Sequence, residues 1–367
     1  MRSCTPFYSS PGPLERLRAH HLDRSLAPVL LLAALGLAAL GCSEDTQAPS
    51  SPDAAPAGPA LTPAVAATAN SWLTQADMWG TERIGAAVAV VPNAAGQSVL
   101  FAIGGRTATG STLSRVMAYN AATNSWALRA PLPLPLKQTN GAGVIGGKIY
   151  VAGGRVSADD KSYSPRLFVY DPAADTWAVK RAMPTNGLNG LTVVIDDRLY
   201  VVTSCQDGDE CAAPFKWLLR YDPNGDTWTE LATPTADLHY LHRAVGGTIN
   251  RKIYVGAAGS SALAVYDPVT GTWTTKATAV TLLYDAASAV LGAKLYMIGG
   301  GRPNPDGTAT QVRTTKVYDP GTNTWTTRAP LPASRSGASA ARVIVGGRAR
   351  LELVGGSRPG NNLQYVP

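Results

Sequence analysis

The chain has 367 residues, 45% hydrophobic and 16% charged, which is enough to bury a large core in one or two domains and excludes disorder throughout. Its 37 glycines, 27 prolines and 8 tryptophans indicate many turns and favour a β-rich class over a helical bundle. The formal net charge is +7, but the basic residues are scattered singly, so we expect no nucleic-acid partner.

The N-terminal segment has the features of an export signal. Arginines precede an apolar run over residues 26–40 that ends in "ALGC", and the run is short for a membrane-spanning helix. The end of this segment resembles a bacterial lipoprotein signal, in which the cysteine is acylated. We therefore predict a signal peptide over residues 1–41 and lipidation of Cys42, with an ordinary secreted protein as the alternative.

The segment 42–69 is rich in Ala, Pro, Ser and Thr and is predicted to be a disordered tether. With Ser43 after the acylated cysteine, the resemblance implies export to the outer membrane and contact with the membrane only through the lipid. Two further cysteines, Cys205 and Cys211, lie in "CQDGDEC". An oxidising compartment would let them pair, so we predict a disulfide. The acidic residues between them allow a calcium site as an alternative, although a solvated acidic turn explains them as well.

A turn motif repeats along the rest of the chain: "YNAATNSW" at 119, "YDPAADTW" at 170, "YDPNGDTW" at 221, "YDPVTGTW" at 266 and "YDPGTNTW" at 318. The tryptophans of successive turns are 45 to 52 residues apart, and Trp72 in an earlier "NSW" lies 54 residues before the first. Repeats of this length indicate a stacked or radial architecture. Tyr and Trp at each turn are predicted to pack one repeat against the next, which makes the role of the turn structural.

A second motif lies between the turns: "VLFAIGG" at 99, "KIYVAGG" at 148, "RLYVVTS" at 198, "KIYVGAA" at 252, "KLYMIGG" at 294 and "RLELVGG" at 350. Each is a short run of β-forming residues preceded by a tight turn and another small-residue strand. One period thus contains four strands, which we label a to d, as in a propeller blade.

The double glycine followed by a spaced Tyr and Trp resembles the kelch-repeat family. The resemblance covers residues 70–367 and implies an all-β fold: a six-bladed kelch-type β-propeller with four antiparallel strands per blade. The last period ends at Tyr365 without a Trp, so the N-terminal strand containing Trp72 is expected to close the ring.

The sequence contains no convincing catalytic motif. "GAGVIG" at 141 has dinucleotide-binding spacing, but a strand follows where that motif needs a helix. His239 and His242 could ligate a metal, although hydrogen-bonded or ligand-facing roles explain them better. Copper radical oxidases, which some kelch propellers resemble, need a free cysteine that the predicted disulfide would remove. We therefore expect no cofactor and no metal.

Two rings of side chains are candidates for ligand binding on the face formed by the b–c and d–a connections, whose lengths vary. The ring where strand a begins consists of Arg83, Gln138, Leu188, His242, Tyr284 and Arg335. The ring after the double glycines consists of Arg106, Arg155, Arg302 and Arg358. In kelch propellers that this chain resembles, ligand contacts often come from these positions. Alternatively, an arginine after the double glycine braces a loop.

These features predict a non-catalytic, monomeric binding protein that takes an anionic ligand, a carbohydrate or a protein partner. Trp79, Tyr240 and Tyr284 could stack on a sugar ring. The alternative is a sugar mutarotase resembling N-acetylneuraminate epimerase, in which His242 or Asp285 would serve as general acid or base. A purely structural scaffold at the cell surface is a third possibility. Arg83 and Arg335 are expected to be neighbours at the channel mouth, outside the packing between blades.

Overall fold

The computed structural model describes residues 68–79, 83–137, 141–156, 163–185, 188–204, 217–232, 244–277, 280–304, 306, 308–357 and 362–367. All of them belong to one compact unit, residues 55–367. Within these ranges no helix is long and apolar enough to cross a membrane. The predicted signal peptide, the predicted lipidation site, nearly all of the predicted tether and the predicted disulfide lie outside the described residues.

The fold consists of six four-stranded antiparallel sheets, each of which is one blade. From the innermost strand outwards, blade one consists of β2 (Ala87–Pro92), β3 (Ser98–Ile103), β4 (Val116–Asn120) and β5 (Ser125–Arg129). Blade two consists of β6 (Gly143–Ile145), β7 (Lys148–Ala152), β8 (Leu167–Asp171) and β9 (Thr176–Lys180). Blade three consists of β10 (Leu188–Ile195), β11 (Arg198–Ser204), β12 (Trp217–Asp222) and β13 (Thr227–Leu231). Blade four consists of β14 (Val245–Ile249), β15 (Lys252–Gly256), β16 (Ala262–Asp267) and β17 (Thr272–Ala277). Blade five consists of β18 (Ala287–Leu291), β19 (Lys294–Ile298), β22 (Thr315–Asp319) and β23 (Thr324–Thr327). Blade six consists of β24 (Ala338–Val345), β25 (Arg348–Gly355), β26 (Leu363–Val366) and β1 (Ser71–Thr74).

The N-terminal strand closes the ring. β1 pairs antiparallel with β26, so that Trp72 lies opposite Tyr365. The innermost strands are neighbours around the ring, and β24 of blade six lies next to β2 of blade one. The predicted six-bladed propeller is therefore confirmed. Blade five carries an addition that the repeat did not predict, a hairpin of β20 (Gly301–Pro303) and β21 (Ala309–Gln311) inserted between strands b and c.

The turn between strands c and d requires a left-handed residue two positions before the tryptophan. That residue has a φ between 48° and 68° in the five turns, and so does Asn70, which holds the same position before Trp72 in the closing blade: Asn70, Asn124, Asp175, Asp226, Gly271 and Asn323. Asn, Asp and Gly tolerate this conformation better than other residues do. The local sequence of the motif therefore follows from the geometry of a tight turn.

The same turn also ties each blade to its neighbour. Asp175 accepts hydrogen bonds from the Tyr170 hydroxyl and from the main-chain N–H of Ala130 in blade one, the latter at 2.9 Å. The indole Nε1 of Trp177 donates to the carbonyl of Ala130 at 2.9 Å. One residue of the preceding blade is thus held at both its N–H and its C=O. At three other interfaces an equivalent pair of hydrogen bonds holds the main-chain N–H and C=O of one residue: Ala76, Arg181 and Ala329. These contacts confirm that the role of the motif is structural.

The double glycine lets adjacent blades approach through their backbones. In blade five the N–H of Gly300 donates to the carbonyl of Arg335 in blade six at 2.7 Å. A Cβ on the preceding residue, Gly299, would lie 2.4 Å from that carbonyl oxygen. The junctions from blade one to two and from six to one have the same geometry, at Gly104 and Gly355. Only glycine fits at these positions.

Packing between blades supplies the core. Among the described residues, the buried apolar side chains form six clusters, and each cluster joins two neighbouring blades. The three inner strands of each blade thus pack one face on the preceding blade and the other on the next. As a result the innermost strands are held around a central channel.

Candidate ligand-binding channel

A cavity of about 380 Å³ occupies the central channel. The innermost strands of five blades and the residues just before β6 of blade two line it, mostly with glycine and alanine such as Gly85, Ala142 and Gly190. Because the side chains are small, the channel remains open where larger residues would fill it. The repeat therefore builds a concave space on the axis of the ring, where a small molecule could bind.

Main-chain hydrogen bonds link three blades where their innermost strands begin. The N–H of Gly85 donates to the carbonyl of Gly337 at 2.9 Å, and the N–H of Gly337 donates to the carbonyl of Asp285 at 2.8 Å. All three residues have positive φ, at 65°, 66° and 50°. The backbone of Asp285 is thus in the left-handed conformation at a position where two other blades have glycine. Asp285 lines the cavity.

Serine hydroxyls and charged groups are among the polar side chains in the channel. The Ser339 hydroxyl donates to the carbonyl of Ala86 at 2.7 Å, and the Ser288 hydroxyl donates to the carbonyl of Gly246 at 3.0 Å. These hydroxyls join neighbouring innermost strands and serve the scaffold. The charged side chains that line the cavity are Arg106, Asp285 and Arg342.

The predicted location of Arg83 and Arg335 at the channel mouth is wrong. Both are buried, with 3% and 4% of their surface exposed. The guanidinium of Arg83 donates to the carbonyl of Ala102 at 2.8 Å, and that of Arg335 donates to the carbonyl of Gly355 at 3.1 Å. Burial, reinforced by the nearby charge of Arg115, lowers the pKa of Arg83 to about 10.

The physical reason is the close approach at the double glycine. The backbone carbonyl of the residue that begins strand a is the acceptor for the second glycine of the preceding blade. Its side chain is therefore directed into the junction: a Cβ on Gly356 would lie 2.7 Å from Cγ of Arg335. The two arginines hold the ends of their own b strands.

The hydrogen bonds also correct the alignment of the two predicted rings. Tyr284 forms a main-chain bridge with Gly301, as Ile84 does with Arg106, so Tyr284 lies one residue beyond the position of Arg83. By the same bridges Gly301 is equivalent to Arg106, which puts Arg302 one residue further along. Spacing from strand b could not detect these single-residue offsets.

The second ring of arginines is not one functional set. Arg106 is half-buried and lines the cavity. Arg155 is buried, with its guanidinium carbon 5.1 Å from the centre of the Tyr163 ring, so it braces its own b–c connection as the alternative proposed. Arg302 is exposed on β20. The predicted stacking residue Trp79 packs on the cluster between blades six and one.

Several candidates lie outside the described residues: Gln138, His239, Tyr240, His242 and Arg358. Their roles in binding stay predictions. Within the described ranges, no group of three or more His, Cys, Asp or Glu could hold a metal ion.

Arg342 is a channel residue that the sequence analysis missed. It pairs with Leu351 in blade six, and the matching position of β2, β6, β10, β14 and β18 is Val90, Val144, Val194, Thr248 and Val290. The side chain of Arg342 is exposed. A comparison of the a strands, which have no charge at this position in the other five blades, would have found it.

The fold and the channel define the class of the molecule as a six-bladed β-propeller with a small-molecule-sized cavity on its axis. Two family models, both described as "Kelch motif", match residues 140–184 and 283–332. The chain is therefore a kelch-repeat β-propeller.

Known kelch proteins are similar to this chain over much of the propeller. The Kelch-like protein terF of Aspergillus terreus is 28% identical over 249 residues, which are 63% of this chain and 52% of that protein. Kelch-like protein 38 of Mus musculus is 24% identical over 290 residues, 66% of this chain and 49% of that protein. The chain thus spans about half the length of these relatives. A solved structure titled "Structure of YjhT" has a TM-score of 0.60 and 15% identity, and the match covers 77% of this chain and 94% of that one; this likeness shows the fold.

Proposed function

We propose that this protein is a non-catalytic binding protein whose ligand enters the central channel from the face of the b–c and d–a connections. The observation that supports this function is the cavity of about 380 Å³, in which charged side chains lie among glycine and alanine. A purely structural ring could use small apolar residues throughout its axis. The volume is in the range of small-molecule sites, roughly 300 to 1,000 Å³.

The charged side chains favour an anionic or carbohydrate ligand. Arg106 is half-buried and Arg342 is exposed, so their guanidinium groups remain accessible, unlike those of Arg83 and Arg335. A guanidinium binds a carboxylate or phosphate through two parallel hydrogen bonds. The Asp285 carboxylate can accept hydrogen bonds from sugar hydroxyls, which suits an acidic sugar best.

A sugar mutarotase is the second candidate, because Asp285 places a carboxylate at the channel. The equivalent residues of two other blades are Gly85 and Gly337, which have no side chain. A carboxylate there could remove a proton from a sugar hydroxyl as the ring opens. In this alternative Arg106 would hold the acidic group of the sugar.

One experiment separates these functions. The full chain is titrated with a panel of acidic and neutral monosaccharides while ligand binding is measured by calorimetry, and the mutarotation of each sugar is followed by polarimetry. Binding of an acidic sugar without faster mutarotation supports the binding protein. Faster mutarotation that Asp285→Asn abolishes would establish the enzyme, and neither binding nor mutarotation with any acid or sugar would contradict both candidates.

We further propose that the protein is exported and anchored to the cell envelope by acylated Cys42. The support is the apolar run before "ALGC" and the Ala- and Pro-rich segment after it. Replacement Cys42→Ser should leave the precursor uncleaved or release the protein from the membrane fraction. Unchanged processing and fractionation of this variant would contradict acylation.

A further inference from the structure

An aromatic contact repeats at the interfaces between blades. An aromatic residue of strand b packs on the strand c tyrosine of the next blade, with ring centres 5.6 to 6.2 Å apart: Phe101 on Tyr170, Tyr150 on Tyr221, Tyr254 on Tyr318 and Tyr296 on Tyr365. Tyr200 and Tyr266 occupy these positions at the interface of blades three and four, in one buried cluster. Five of the six interfaces thus use the same pair of positions.

The sixth interface, where blade six meets blade one, departs from this pattern. In "RLELVGG" the position of the aromatic residue is taken by Glu352, which is 0% exposed. Its neighbour across the interface is Tyr119, the strand c tyrosine of blade one. Burial raises the pKa of the Tyr119 hydroxyl, and the Glu352 carboxyl raises it further. A carboxyl group therefore replaces an apolar ring in the interior of the closing interface.

Polar side chains from β25, β26 and blade one lie around this carboxyl. The amide of Gln364 on β26 donates to Glu352 at 2.9 Å, and the guanidinium of Arg350 on β25 donates to the same glutamine. From β24, the register partner of Glu352 is the apolar Ala341. Gln75, just after β1, accepts a hydrogen bond from the Tyr119 hydroxyl at 3.3 Å.

The cluster therefore connects the elements that close the ring. Gln364 is opposite Leu73 in the pairing of β26 with β1, and the N–H of Gln75 donates to the carbonyl of Asn362 at 2.8 Å. The titratable and charged groups that face Glu352 are Tyr119 and Arg350. Both the closing strand and blade one would respond to a charge at Glu352.

We propose that Glu352 is a proton-dependent clasp, which holds the ring closed when its carboxyl group is neutral and loosens β1 and β26 when it ionises. A neutral carboxyl can remain buried and hydrogen-bonded, whereas an ionised one must be desolvated. Burial raises the pKa of Glu352 to about 8, although Gln364, Arg350, Asn362 and Tyr119 oppose the shift.

The direction of the pH effect follows from linkage. The folded state keeps the proton between the ordinary pKa of glutamate, about 4.3, and the raised value, whereas the unfolded chain loses it. The contribution of Glu352 to stability is therefore complete at low pH and is lost as the pH rises to about 8. Above that value the loss is constant.

Two variants test the clasp in the full chain. Glu352→Gln keeps the shape of the neutral carboxyl, and Glu352→Tyr restores the aromatic residue used by Tyr150 and Tyr296. Urea unfolding is measured from pH 5 to pH 9. We expect the unfolding equilibrium constant of the wild type, divided by that of Glu352→Gln, to increase about tenfold per pH unit up to the raised pKa, because one proton is released. The wild-type unfolding constant divided by that of Glu352→Tyr should show the same increase, because neither variant carries the carboxyl group.

Amide hydrogen exchange provides a local readout. In the wild type, protection of β1 and β26 should fall between pH 6 and pH 9 relative to protection of β7 in the same sample, and Glu352→Gln should abolish this difference. A ratio of unfolding constants that does not vary with pH would overturn the proposal. If Glu352→Gln does not fold, Glu352→Tyr carries the comparison, and a pH dependence equal to that of the wild type in that variant would also overturn it.

Discussion

Replacing Gly299 by alanine should test directly whether the double glycine joins the blades. Gly299 has a φ of 62°, and an added Cβ would lie 2.4 Å from the carbonyl oxygen of Arg335 in the next blade. Gly292 in the same blade is a matched control, because its φ is 57° and an added Cβ would meet nothing within 4 Å. Both variants carry the cost of a left-handed alanine, roughly 1 to 2 kcal/mol.

Only Gly299→Ala should carry further costs. The blades must move apart, which resembles overpacking at about 1 to 3 kcal/mol, and the inter-blade bond from Gly300 to Arg335 is weakened, at about 0.5 to 1.5 kcal/mol. We therefore expect Gly299→Ala to destabilise the protein by about 2 to 4 kcal/mol more than Gly292→Ala does. Urea unfolding followed by tryptophan fluorescence measures both values. Equal losses in the two variants would refute the inter-blade role and leave only a conformational need for glycine.

Three further predictions concern other parts of the protein. Asp226→Ala removes the acceptor for the Tyr221 hydroxyl and for a main-chain N–H of the preceding blade, and it should lower the free energy of unfolding in urea by about 2 to 3 kcal/mol. Asp226→Asn introduces the residue that other blades have at this position and should lower it by less than about 1 kcal/mol. Equal losses in the two variants would contradict the inter-blade role of this side chain. Arg83→Ala should lower the free energy of unfolding by about 1 to 3 kcal/mol, because the Ala102 carbonyl loses its buried donor, and an unchanged melting curve would contradict this brace. Mass spectrometry of the protein recovered from its native compartment should show Cys205 and Cys211 joined; two free thiols would reject the disulfide.

The six blades and their closure could be predicted from the sequence, because the features that specify them are local and repeated. Trp72 and Tyr365 mark the two halves of the closing blade, and each turn places a residue that tolerates positive φ before its tryptophan. The hydrogen bonds from these turns to Ala130 and its equivalents could not be read from spacing. They depend on the distance between blades, which the double glycines determine.

The candidate site could be predicted only in part. Arg106 lines the channel, whereas Arg83 and Arg335 turn into the blade junctions. A shift of one residue along a strand reverses the direction of a side chain, and an alignment by spacing is not accurate to one residue where connections vary in length. Arg342 was not predicted because it lies in the interior of strand a, away from the candidate ring at the start of that strand.

The most direct test of the channel as the binding site is the affinity for an acidic monosaccharide that the panel identifies, measured by calorimetry with the double variant Arg106→Gln and Arg342→Gln. Arg348→Gln is the control, because Arg348 is exposed at the start of β25 and does not line the cavity. Hydrogen bonds to charged groups contribute about 1.5 to 3 kcal/mol each, so we predict at least a tenfold loss of affinity in the double variant, an unchanged affinity in the control and unchanged folding in both. Wild-type affinity in the double variant would contradict binding in the channel.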